Sequence, residues 1–198
     1  MKHHPLVLAS SSPRRHQLLT MLGIPHRVEA ANVQEIRLPR EAPAAYVKRL
    51  ARDKARAVTG AWVLGADTTV ALGDEILEKP ADADDALRML LALQGRRHEV
   101  LTAVCLRADG AEYEATDTTA VYFRPADERL LRAYVATGEP LDKAGAYGIQ
   151  GYGAALIERV EGDFFGVMGL PLRLVLELMA RAGWEYDFGQ QSTVNGQR

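Results

Sequence analysis

Three hydroxyls, one proline and two guanidiniums follow an apolar run directly in Leu8-Ala9-Ser10-Ser11-Ser12-Pro13-Arg14-Arg15. That order suits an anion. A strand ending near Ala9 delivers the chain into a helix whose first N–H groups have no intrahelical acceptor; Ser12 is placed to cap it and Pro13 fits its first turn. Arg14 and Arg15 add planar, forked donors that match phosphate oxygens. Taken alone, the same stretch also reads as a capped surface helix with two solvated arginines.

Asp67 is the carboxylate that stands out, because Val63-Leu64-Gly65-Ala66 before it and Val70-Ala71-Leu72 after it read as buried strand. A carboxylate in such a run has to be paired, hydrogen-bonded or metal-bound to offset its desolvation, so it is either a functional group or a structural acceptor for loop N–H groups. Glu35, in Asn32-Val33-Gln34-Glu35-Ile36-Arg37, is a second acidic candidate, with a solvated loop glutamate as the alternative. Lys54 and Lys79 can each bring an ammonium to a phosphate on a flexible stem, and each also reads as an ordinary surface lysine. The five histidines show no metal-ligand spacing, and none stands out as a base. No Gly-x-x-x-x-Gly-Lys-Ser/Thr loop, Gly-x-Gly-x-x-Gly turn or Gly-x-Ser-x-Gly elbow is present, so the serine triplet reads as a ligand-binding loop rather than a source of nucleophile. Cations with one or two carboxylates are the ingredients for holding a polyphosphate and a divalent metal.

These groups need a frame. The 198 residues are 47% hydrophobic and 25% charged, enough for one substantial core or two lobes around a cleft. A net charge of −2 argues against a protein that coats a nucleic-acid duplex, while leaving room for a local basic pocket. Cys105 is the single cysteine, which excludes an intrachain disulfide, leaves a thiolate zinc site unsupported and fits a reducing cytoplasm. The apolar residues after Met1-Lys2-His3-His4 are too few for a signal-peptide core, and no stretch approaches a membrane span.

Periodicity predicts strands over Pro5–Ala9, His26–Ala30, Trp62–Leu72 and Glu75–Glu78. Two further strands, Glu99–Arg107 and Glu112–Phe123, are joined by the hairpin signal Asp109-Gly110. Helices are predicted over Pro13–Leu22, Pro43–Val58, Asp84–Leu93 capped by Asp82, Asp127–Thr137 and Pro171–Ala182. The second of these carries Arg49, Arg52 and Lys54 away from its apolar stripe; the third turns Ala86, Leu87, Leu90 and Leu91 inward. The Gly-rich stretch Leu141–Gly153 is expected to be a functional loop. The economical description is one α/β unit over residues 1–184 with two lobes, then a polar tail over 185–198 whose end, Gln190–Arg198, frays.

Five ordered blocks resemble the Maf family of nucleotide pyrophosphatases: Leu8 to Arg15, Gly65-Ala66-Asp67-Thr68-Thr69-Val70, Glu78-Lys79-Pro80, His98 to Val104, and Glu139 to Gly151. The resemblance runs from about residue 5 to about residue 182. It implies a mixed, twisted sheet with helices and a deep cleft between lobes, as in the inosine-triphosphate pyrophosphatases, and usually a homodimer. It implies hydrolysis of a nucleoside triphosphate to the monophosphate and pyrophosphate with a divalent cation, Mg²⁺ or Mn²⁺. Carried over by position, Asp67 looks like the family's general base, and Ser10, Arg14, Arg15, Glu35, Lys54, Lys79 and Gln150 its substrate, metal and charge-handling positions. Glu35 and Asp67 are the implied metal ligands. Arg14, Thr68 and Gln150 resemble the branch that acts on dTTP and UTP, on ordinary or modified pyrimidine nucleotides. The 7-methyl-GTP branch tends to have an aromatic residue at the first of these positions and glutamine at the second. Ser11 departs from the small residue common there. The alternatives are the 7-methyl-GTP branch itself, or a nucleotide-binding regulator of septum formation without chemistry; a buried carboxylate beside the ligand argues against the latter.

Overall fold

The computed structural model describes residues 5–188; Met1–His4 and the predicted frayed end, Gln190–Arg198, lie outside the described residues. In chain order the elements are β1 (Leu6–Ala9), α1 (Pro13–Met21), β2 (His26–Val28), α2 (Pro43–Ala57), β3 (Trp62–Leu72), β4 (Glu75–Leu77), α3 (Ala83–Leu93), β5 (Arg97–Ala108), β6 (Ala111–Phe123), α4 (Glu128–Val135), β7 (Ile157–Glu161), α5 (Phe164–Met168) and α6 (Leu172–Arg181). They build one mixed sheet in the order β2-β1-β3-β5-β6-β7, with β4 added to β3. β1 is buried along its whole length and pairs in parallel with both neighbours, as expected of a continuous apolar run. β5 and β6 form a long hairpin across Asp109-Gly110, as the sequence predicts.

Side-chain alternation then distributes the cores. Odd positions of β3 and β5 (Ala71, Leu101, Ala103, Cys105) pack under α2, while the other face carries two further apolar clusters. One joins Leu64, Ala66, Val104 and Leu106 to α1, α5 and α6; the second joins Val70, Val100 and Val121 to α3 and α4. Between them runs a polar row in register across three strands, Thr68–Thr102–Asp117. Two apolar clusters on one face of the sheet, divided at that row, flank the cleft.

The edge of β3 is interrupted at the same level. β1 pairs with Trp62–Gly65 and β4 with Val70–Leu72, so Ala66–Thr69 have no strand neighbour on that edge. Both faces of the strand are therefore reachable from one cavity, and Asp67 and Thr68 open into the same space although they point to opposite sides.

The structure corrects several expectations. β2 stops at Val28 rather than Ala30. Leu91 is exposed, and Met89 and Leu93 take the inward positions of α3. Ser12 sits at the cap position of α1 but makes no capping bond; its own N–H donates to Ser10 Oγ at 3.2 Å. Lys54 lies on the buried side of α2, not off it. β7 and α5 were not legible as elements. The Gly-rich stretch contains short 3₁₀ turns at Glu139–Asp142, Ala144–Ala146 and Tyr152–Leu156. Among the described residues no helix is long and apolar enough to cross a membrane.

His98 is 1% exposed, with Nε2 2.8 Å from the Tyr147 hydroxyl and the ring edge-on to Phe123. Burial drives its pKa down from 6.5 to about 4. The unfolded chain takes up this proton near the ordinary value and the folded core resists, so its contribution is complete above pH 6.5 and is lost as the pH falls toward 4. That linkage amounts to ~3 kcal/mol. Urea titrations of the wild type and His98→Gln across this interval should show the variant losing less stability on acidification by about that amount; parallel curves would exclude His98 as the source.

Candidate active site

A cleft of about 530 Å³ opens over the gap in the β3 edge. It is lined by Ser10, Arg14, Arg15, Glu35, Lys54, Asp67, Thr68, Lys79 and Gln150 together, so every residue singled out from the sequence reaches one cavity. The floor is made by α2 lying unusually close to β3. A Cβ at Gly65 would fall 2.2 Å from Ala51 O and 2.6 Å from Ala55 N, so only glycine admits the helix backbone there. One turn along that face, Lys54 Nζ donates to Asp67 Oδ1 at 2.7 Å and lies 2.6 Å from Glu35 Oε1.

Lys54 and Asp67 are 7% and 5% exposed, a buried ion pair to which the half-exposed Glu35 adds a second carboxylate. Burial pushes the Asp67 carboxyl above its usual range, partly countered by Lys54 and Arg15. Burial acts in the same direction on Glu35, but the bond to Lys54 and the neighbouring positive charges hold it below the usual range. The two carboxylates are thus driven apart in basicity by their surroundings, and Asp67 is the stronger base. A smaller cavity of about 140 Å³ adjoins them, where Tyr46 donates to Glu78 Oε1 at 2.6 Å.

Arg15 is spent on protein acceptors. It donates from Nε to Gly169 O at 2.8 Å, from Nη1 to Ala66 O at 2.8 Å and Ser10 Oγ at 3.1 Å, and from Nη2 to Thr68 Oγ1 at 3.1 Å. It ties the loop after β1 to β3 and to the end of α5, and it leaves one N–H of five for the cleft. Arg14 is freer: its closest charged partner is Asp142 Oδ2 at 3.7 Å, across the mouth.

The residues that sequence reasoning passed over are Glu139, Asp142 and Lys143, all of which line the cleft. Glu139 accepts from the Tyr134 hydroxyl at 2.8 Å, Tyr152 N at 2.7 Å and Gly153 N at 3.0 Å, and so pins both ends of the loop that carries Gln150. A Cβ at Gly151 would come within 2.0 Å of Glu139 Oε2. The available signal was an acidic and basic pair, Asp142-Lys143, set in an otherwise small-residue loop.

Among the described residues no three His, Cys, Asp or Glu side chains gather to hold a metal unaided. Glu35 and Asp67 converge on Lys54 Nζ, and their carboxylate oxygens are the donor type that a hard divalent cation takes.

A seam between two cores of one mixed sheet, walled by cations and floored by a buried carboxylate, defines an α/β protein built to hold a polyanion beside a base. The model of the family described as Maf-like protein matches residues 5–182. Among similar curated proteins, the dTTP/UTP pyrophosphatase of Anaeromyxobacter dehalogenans is 54% identical over 183 residues, covering 90% of this chain and 94% of that one. Those of Koribacter versatilis and Thermus thermophilus are 48% and 49% identical, covering 90% and 91% of this chain and 94% and 96% of theirs. The chain belongs to the Maf family. A solved Ham1 protein of Staphylococcus aureus is also similar, with TM-score 0.44 and 13% identity over 60% of this chain and 71% of that chain.

Gly65→Ala should cost about 1–3 kcal/mol of stability, since the helix must back away from the strand. Denaturant midpoints check this, and an unchanged midpoint would refute the close approach. Glu139→Gln weakens the acceptor for two backbone N–H groups, and amide exchange at Tyr152 and Gly153 should rise about tenfold; unaltered protection there would show that the loop is held by other means.

Proposed function

We propose that this protein hydrolyses dTTP and UTP to the monophosphate and pyrophosphate in nucleotide house-cleaning. The observation that carries the reading is Asp67, a buried carboxylate of raised basicity on the floor of a cleft ringed by Arg14, Arg15, Lys54, Lys79 and Lys143. Close relatives named for the same activity support it.

The triphosphate lies with its charge toward the start of α1, Arg14 and Lys79, where helix N–H groups and cations compensate it. Asp67 takes a proton from water as the water oxygen bonds to the α-phosphorus. The bond from that phosphorus to the bridging oxygen breaks, and pyrophosphate leaves with the electron pair. Lys54 fixes the orientation of Asp67 and keeps a positive charge beside it through the step. Glu35 holds the other side of Lys54. When bound by Glu35 and Asp67, Mg²⁺ or Mn²⁺ would supply neutralising charge to the phosphate oxygens. Positioning and electrostatic stabilisation supply most of the acceleration, and the base adds about 10²–10⁴-fold. Thr68 and Gln150 read the base edge. The reading carries with it a cytoplasmic location, supported by the buried, unpaired Cys105, and a homodimer, as the family likeness implies.

Pyrophosphate release measured with and without Mg²⁺ or Mn²⁺ over dTTP, UTP, CTP and 7-methyl-GTP tests this. Metal-dependent turnover highest on dTTP and UTP is expected, and a preference for the methylated purine would reassign the branch. Asp67→Asn should lower kcat by at least about 10²-fold with KM nearly unchanged; full activity in a folded variant would remove Asp67 from its role.

A further inference from the structure

The polar row that divides the two cores has a direction, and the direction can be read from proton counting. Thr102 Oγ1, 0% exposed, lies 2.8 Å from Gly166 O and 2.9 Å from Thr68 Oγ1. A carbonyl has no proton to give, so the proton in the first contact is the Thr102 hydroxyl's own. Reversing it would leave two bare oxygens facing each other at 2.8 Å in a buried site. Thr102 has one proton, so the bond between the threonines must be supplied by Thr68. Arg15 Nη2 meanwhile donates to Thr68 Oγ1 at 3.1 Å. Thr68 has therefore given its proton away and accepted one bond, and a single lone pair is left on an oxygen that lines the cleft.

We infer that Thr102 is a specificity-positioning residue. By anchoring its proton on Gly166 O it obliges Thr68 to meet the nucleobase as an acceptor only, and so selects a ring that presents an N–H donor. This inference rests on the pyrimidine nucleotide reading above and deepens it. Uracil and thymine carry a protonated ring N3, which completes the chain of donors running from the base and Arg15 through Thr68 and Thr102 to Gly166 O. Cytosine presents a bare N3, and two acceptors then face each other in the complex, the kind of mismatch that discriminates strongly. The anchor is itself held: Gly166 O also accepts from Gly169 N at 2.9 Å, Gly166 N donates to Asp163 Oδ1 at 3.1 Å, and a Cβ at Gly166 would fall 2.6 Å from Asp117 Oδ2. α5 cannot slide along the sheet without breaking that seat.

The test compares kcat/KM for UTP and CTP in the wild type, Thr102→Val and Thr102→Ser. Valine keeps the shape and removes the anchor, freeing Thr68 to turn its proton toward the cleft. The UTP to CTP ratio should fall about tenfold, chiefly through gain on CTP, and serine should restore it. A wild-type ratio in folded Thr102→Val overturns the inference. A second measurement needs no variant: the alkaline limb of wild-type kcat/KM should move to lower pH when 5-fluoro-UTP, whose N3–H is more acidic, replaces UTP. Coincident limbs for the two substrates would overturn it as well. Absence of any metal-dependent UTP hydrolysis would instead bring down the functional reading, and this inference with it.

Discussion

An ammonium group almost without water, held between two carboxylates, is the constraint from which the rest of the molecule follows. Lys54 meets Asp67 and Glu35 at hydrogen-bonding distance while packed against the sheet. Desolvating the Lys54–Asp67 pair is costly, and removing one partner of such a pair typically costs about 3–5 kcal/mol because the other remains buried and uncompensated. The arrangement is possible only because α2 can approach β3 at Gly65, where any side chain would collide with helix backbone. Backbone proximity, charge compensation and the basicity of Asp67 are thus one fact seen at three levels.

Arg15 is the counterpart on the opposite face. It gives up most of its donors to Gly169 O, Ala66 O, Ser10 and Thr68, and so joins segments far apart in the chain around the gap in the β3 edge. Its charge still reaches the site, since it lowers the Asp67 pKa, but its geometry is that of a rivet. Arg14, one residue earlier and half-exposed at the mouth, keeps the freedom that Arg15 lacks. Adjacent arginines in the same motif do different work because helix geometry turns one inward and the other toward the opening.

Much of this was legible in the sequence where the signal is local. The strand into serine loop into helix, the Asp109-Gly110 hairpin and the Asp82 cap depend on neighbours a few residues apart, and they form as read. Asp67 was conspicuous because a charge interrupts a buried strand. Lys54 was misplaced on α2 because its charge was weighed above its position between Ala51 and Ala55, whose period already put it on the buried side. The role of Arg15 depends on Gly169, which is 154 residues away, and no local pattern encodes that. β7 is short, charged and at the sheet edge, and α5 is only five residues long, so neither develops a period that sequence alone could reveal. Glu139 was hidden for another reason: it satisfies backbone N–H groups, and any residue but proline can supply those.

The interrupted edge and the polar row sit on strands that do not stop at the boundary between the two apolar clusters. β3, β5 and β6 pass through both, paired residue by residue from one end to the other. The base of the cavity is consequently one continuous set of paired strands that spans both clusters. Its rim is formed by the loop that bears Gln150 and by side chains such as Arg14. A receptacle of that kind must carry its selectivity in the fixed orientation of its donors and acceptors before the ligand arrives.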